Sequence, residues 1–278
     1  MSDSYNPQPL PPLDPNLEIG QNHYWNYHHL EQLLSCKQPI TASKDEDLFI
    51  AVHQICEIAF HQAIADLDRT LEALREAIAS PDPMAGETGE ACYFFDRVLR
   101  LYEVAATTMP ILNTLRAFAE FRTSIGPTSG FQSFQFRRLE IMSGVRDPYW
   151  AGGTSDGAGN PHVAEVEFNR RYGKEIEAWF EQYRQHNLAF YYELLLGRAE
   201  GNSRDEKIAT LLEHPRTQGI LKRMRDYDEL QTRFHQGHLG LATKQLKIVG
   251  VDVGTGGTSF RNYLAKYDRT VAPLFPGL

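Results

Sequence analysis

One period dominates this sequence. Between Phe49 and Leu74 the apolar residues fall at Phe49, Val52, Cys56, Ala59, Phe60, Ala63, Ile64, Leu67, Leu71 and Leu74. That i, i+3, i+4 spacing draws one apolar stripe along an α-helix. It predicts a helix over 44–80, opened by a capping box of Ser43 and Glu46. Similar patterns predict a short helix over 22–37 stopped by Pro39, and a long one over 87–122 kinked at Pro110. Further helices are expected over 131–142, 165–196 and 216–247, with no period-2 strands and no internal repeat. Stripes of this length can be covered only by one another, so the expected fold is all-α, a single domain of long packed helices over 20–278. Residues 1–19 carry five prolines and are expected to form an extended arm of the kind that reaches a neighbouring subunit. Gly144 to Pro161, rich in Gly, Asp, Ser and Asn, reads as an exposed loop, and 197–215 as a polar link.

Composition narrows the partners. The 278 residues are 42% hydrophobic and 23% charged, enough for a sizeable core, and the net charge of −8 argues against nucleic acid or an anionic membrane as the main partner. Three cysteines at wide spacing, Cys36, Cys56 and Cys92, offer no CxxC pair for zinc, redox exchange or heme attachment. Met1 to Asn16 lacks the basic start and apolar run of a signal peptide. The apolar stretch Leu48 to Phe60 is interrupted by His53, Gln54 and Glu57 and falls short of the ~20 residues that cross a bilayer. A cytoplasmic protein with a small-molecule partner is expected.

Long packed helices invite a cofactor between them. The paired Glu-x-x-His motifs of a carboxylate-bridged di-iron centre do not occur. His53, Glu57 and His61 share one helix face at spacing a metal could use, yet ligands from one helix seldom complete a site, so a solvated or hydrogen-bonded face is the plainer expectation. In Ser129 to Glu140 (SGFQSFQFRRLE) two arginines stand among phenylalanines. Arg137 there could grip the carboxylate of an aromatic substrate, or form a surface ion pair with Glu140. Gly250 to Ser259 resembles the phosphate loop of actin-like ATPases, but only 19 residues (260–278) follow it, too few for that fold, and Thr255 in this glycine-rich turn could instead hold polar groups of a small ligand. Upstream, His235 and His238 are helix imidazoles of the kind that serve as axial ligand to a heme iron.

Together these residues resemble the tryptophan 2,3-dioxygenase family, within the heme-dependent aromatic oxygenases. The resemblance rests on four blocks in order: Tyr24-x-x-Tyr27 with LEQLLSCKQP, DE-x-LFI with His53-Gln54, SGFQSFQFRRLE, and GTGGTS with Tyr263-Leu264. It implies an all-α fold enclosing a non-covalent heme b, dioxygen as co-substrate, and L-tryptophan or a close indole derivative opened at C2–C3 to an N-formylkynurenine-type product. By the same resemblance His238 is the iron's axial ligand, with His235 as fallback, and His53 is the catalytic distal histidine. Phe49 lines the aromatic pocket, Arg137 holds the carboxylate, Thr255 meets carboxylate and ammonium, and Tyr24 and Tyr27 enter the site from a neighbouring subunit. An obligate homo-oligomer, tetramer or dimer, follows. Ala242 stands where some relatives carry a heme-tethering cysteine, so a covalent heme is not expected. The alternatives are a heme monooxygenase that hydroxylates an aromatic amino acid, and a helical heme- or ligand-binding protein without turnover.

Overall fold

A computed structural model describes residues 19–79, 88–125, 132–145, 163–250 and 273–278. Among them it is all-helical: α1 (His23–Tyr27), α2 (Leu30–Ser35), α3 (Glu46–Ala79), α4 (Gly89–Thr108), a 3-10 turn (Met109–Thr114), α5 (Phe118–Arg122), α6 (Phe134–Ser143), α7 (Val163–Gln182), α8 (Leu188–Arg198), α9 (Arg204–Glu213) and α10 (Gln218–Val249). The predicted stripe on α3 is the core. Leu67, Leu71 and Leu74 are fully buried, chiefly against α4, where Ala91, Phe95, Val98 and Ala105 face them. Each such leucine contributes about 1.5–3 kcal/mol by burial.

α3 is long and apolar enough to cross a bilayer by length and composition. Here its apolar stripe is spent on the bundle, and the same helix buries a carboxylate, Asp66, held by Arg69 at 2.6 Å, Arg97 at 3.1 Å and Gln62 at 3.0 Å. α10 closes the other side of α4 through rings: Tyr227 lies 5.6 Å from Phe95 and 5.5 Å from Tyr102, and Phe234 lies 5.7 Å from Tyr102. The C-terminal residues return to α10, where the Asp228 carboxylate accepts the N–H groups of Leu274 and Phe275 and the Phe275 ring is buried.

Several expected boundaries move, each for a local reason. The helix expected over 22–37 is two, because His29 takes a left-handed backbone (φ 50°) between α1 and α2. The stretch 87–122 is not one kinked helix: α4 ends at Thr108, Pro110 enters a 3-10 turn, and α5 restarts after Ala117. The expected 165–196 helix is interrupted at Asn187, whose side chain accepts the Phe190 N–H and caps α8. The supposed link 197–215 contains α9, opened by the Ser203 hydroxyl accepting the Glu206 N–H while Glu206 reaches back to the Asn202 N–H. At α3 the capping box is replaced by another device: the buried Glu46 carboxylate accepts the N–H groups of Ile40 and Thr41 and the Thr41 hydroxyl, ordering the loop before the helix. The arm 1–18, the loop 146–161 and the glycine-rich segment after Gly250 lie outside the described residues.

Candidate functional site

α3 places Phe49 and His53 one turn apart, with ring centroids 4.3 Å apart. The Nδ1 of His53 lies 2.7 Å from the Phe49 carbonyl oxygen, which can only accept, so Nδ1 carries the hydrogen and a neutral His53 offers Nε2 as acceptor. Burial pushes the His53 pKa down, while the Phe49 carbonyl and the Glu57 carboxylate pull the other way.

An aromatic wall continues from Phe49. Phe118 and Phe121 of α5 lie 6.0 and 5.5 Å from its ring and meet each other edge-on at 5.4 Å. α5 is fastened there because Asp45, just before α3, accepts the N–H groups of Arg116 and Ala117, each at 2.6 Å. Arg122, directly after Phe121, is half-buried at the end of this wall.

α10 brings the second imidazole. His238 is half-buried, and its pKa is pushed down to about 4 by burial, with the positive charges of His53 and Arg137 adding to the effect. His53, His238 and Arg137 therefore share one interior region although they come from three helices. His235 is buried one turn earlier, its ring 5.6 Å from both Phe136 and Phe234. Phe60 of α3 completes this cluster at 5.4 Å from Phe136 and 6.0 Å from Phe234.

Arg137 does pair with Glu140, at 2.8 Å, but the pair is interior rather than on the surface: the two side chains are 1% and 3% exposed. The guanidinium also stacks 4.9 Å from the Phe136 ring. Tyr24 and Tyr27 are not gathered into this region; they stand 68% and 81% exposed on α1. Thr255 lies outside the described residues. Two features of the site were not singled out from the sequence: Arg122, which carries no pattern of its own, and Gln135, which sits between Glu57 and His61. Among the described residues no cluster of three or more His, Cys, Asp or Glu could hold a bare metal ion, so His53, Glu57 and His61 form no metal site.

The family model described as tryptophan 2,3-dioxygenase matches residues 14–151, which carry Phe49, His53, Arg122 and Arg137. A tryptophan 2,3-dioxygenase of Herpetosiphon aurantiacus is 29% identical over 271 residues, 92% of this chain and 95% of its own length. The chain is therefore similar to tryptophan 2,3-dioxygenases over most of its length. A member from a Bradyrhizobium species is 27% identical over 96% of both chains. Another, from an Anaeromyxobacter species, is 36% identical over 147 residues, about half of each chain (50% and 52%).

Tryptophan 2,3-dioxygenases imply a heme and dioxygen. The donor set here fits such a group. A single neutral helix imidazole, His238, suits an iron whose other ligands come from a porphyrin, since no protein cluster competes as a bare-metal site among the described residues. The rings of Phe60, Phe136 and Phe234 supply the apolar surroundings a macrocycle needs.

Proposed function

We propose that this chain is a heme-dependent oxygenase of L-tryptophan or a close indole derivative, adding dioxygen across the indole C2–C3 bond to give an N-formylkynurenine-type product. The observation that carries it is the convergence of His53 on α3 with His238 on α10 in a chain similar to tryptophan 2,3-dioxygenases over most of its length. His238, with His235 as fallback, would hold the heme, which would supply the dioxygen chemistry.

The chain's own residues bind and orient. Phe49, Phe118 and Phe121 form an apolar wall for the indole ring and exclude water. The hydrogen on His53 Nδ1 is tied to Phe49, so Nε2 accepts the indole N–H and can hold its proton. For the carboxylate there are two guanidiniums. Arg137, expected from the sequence, also pairs with Glu140, and Arg122 follows the aromatic wall that meets Phe49. Arg137 remains the expected anchor, with Arg122 as second candidate, and Thr255 would meet the carboxylate and ammonium.

The exposed Tyr24 and Tyr27 complete the site of a neighbouring subunit in a homotetramer or dimer, and the free cysteines fit a cytoplasmic setting. The family model ends at residue 151, before the half that bears His238, which keeps the monooxygenase outcome as second reading. Turnover under labelled dioxygen decides: two labelled oxygens in the product support ring opening, one supports hydroxylation, and none contradicts both.

A further inference from the structure

The face of α3 that carries Glu57 and His61 is closed by one amide. Gln135, in the first turn of α6, donates through Nε2 to the Glu57 carbonyl and to its carboxylate, each at 2.8 Å, while its Oε1 lies 2.8 Å from Nδ1 of His61. Only one amide orientation satisfies all three contacts, because the flipped form would turn its oxygen onto two acceptors. That orientation in turn requires the hydrogen of His61 on Nδ1. The next residues of α6 are Phe136, stacked 5.4 Å from Phe60 of α3, and Arg137, whose charge bears on His238. Glu57 itself lies one turn after His53.

We propose that Gln135 is a positioning residue of the site: clasped between Glu57 and His61, it registers α6 on α3, so that Arg137 lies near His238 while Glu57 stays fixed one turn below His53. The clasp explains why a glutamate and a second histidine follow His53 at helical spacing without forming a metal site. A turn of helix displaced by an ångström is enough to spoil the alignment of reacting groups. The inference deepens the functional reading above and rests on it for its consequence on turnover, but the clasp itself can be read without heme or substrate.

The test compares the full chain with Gln135→Leu, which is near in size and keeps none of the three polar contacts. Side-chain nitrogen spectra of histidine-labelled, heme-free protein, assigned with His61→Leu and His53→Asn, are expected to place the His61 hydrogen on Nδ1. In Gln135→Leu that signature is lost and the His53 resonances shift, with the unfolding midpoint little changed. In heme-loaded protein the same variant is expected to lower kcat roughly tenfold while KM for L-tryptophan stays near wild type. A wild-type His61 carrying its hydrogen on Nε2 overturns the clasp. His53 resonances unmoved by Gln135→Leu overturn the positioning role even if the His61 signature is lost. A heme-loaded wild type that leaves tryptophan unchanged overturns the functional reading alone, and the His53 spectra still decide the positioning claim.

Discussion

The Phe49 carbonyl accepts a hydrogen bond from His53 Nδ1 across 2.7 Å, and this contact fixes which nitrogen of the His53 imidazole is left to accept. His53→Ala removes the acceptor for the indole N–H and should lower kcat/KM by about 10²- to 10⁴-fold, the usual range for a positioned acid–base group. Heme uptake should survive, because His53 is not the expected axial ligand. Steady-state kinetics beside a heme spectrum check both; unchanged kcat/KM would remove His53 from the mechanism.

The two arginines separate by what each leaves behind. Arg137→Ala strands the buried Glu140 carboxylate and is expected to destabilise the fold by about 3–5 kcal/mol in urea unfolding. The double variant Arg137→Met with Glu140→Leu should recover most of that loss, since an interior ion pair is replaceable by apolar groups of similar volume. Arg122→Ala, at a half-buried position, tests the second candidate: if Arg122 holds the carboxylate, KM for tryptophan should rise by the equivalent of about 2–5 kcal/mol. A KM that responds only to Arg122 would move the carboxylate to that residue.

Acid should loosen the heme-free protein in a defined window. His53, His186 and His238 are all held below the ordinary histidine value of 6.5, first of all by burial, His238 at about 4. Above pH 6.5 these groups are neutral folded and unfolded, and their contribution is fully present. As pH falls the unfolded chain takes protons that the folded one refuses, so stability drops until the folded values are reached, with His238 accounting for about 3 kcal/mol at most. Urea unfolding between pH 7 and pH 4 checks the sign; stability that rises toward acid contradicts it.

Tyr24 and Tyr27 touch little of their own protomer, so Tyr24→Ala with Tyr27→Ala should shift stability by no more than ~0.5 kcal/mol. Activity should fall all the same, if these rings complete a neighbour's site. Co-expression with His53→Ala should then restore part of it, because a mixed oligomer pairs an intact His53 with an intact donor of tyrosines. Absence of rescue in demonstrated mixed oligomers would place the tyrosines outside catalysis.

How much of this was legible in the sequence follows the physics of each feature. The α3 stripe was read almost to the residue, Glu46 to Ala79, because periodic burial writes itself into every turn. The break before α8 and the presence of α9 were not, since they depend on single caps, Asn187 and Ser203, inside otherwise helical or polar runs. Phe49 with His53 was legible as an i, i+4 pair on one helix. Arg122 was not, because its place by the aromatic wall is set by Asp45 holding Arg116 and Ala117 across more than seventy residues of chain, 71 and 72 apart. The Arg137–Glu140 pair was visible as a spacing, but its burial depends on how α6 is laid against α3 and α10.

On this reading His238 would hold the heme in the interior region it shares with His53. The most direct test is the anaerobic ferrous absorption spectrum of heme-loaded wild type, His238→Ala and His235→Ala, before and after L-tryptophan. The account predicts a five-coordinate histidine-ligated spectrum that responds to tryptophan in wild type, kept in His235→Ala and lost in His238→Ala. An intact spectrum in His238→Ala, or a wild type that takes no heme, would contradict it.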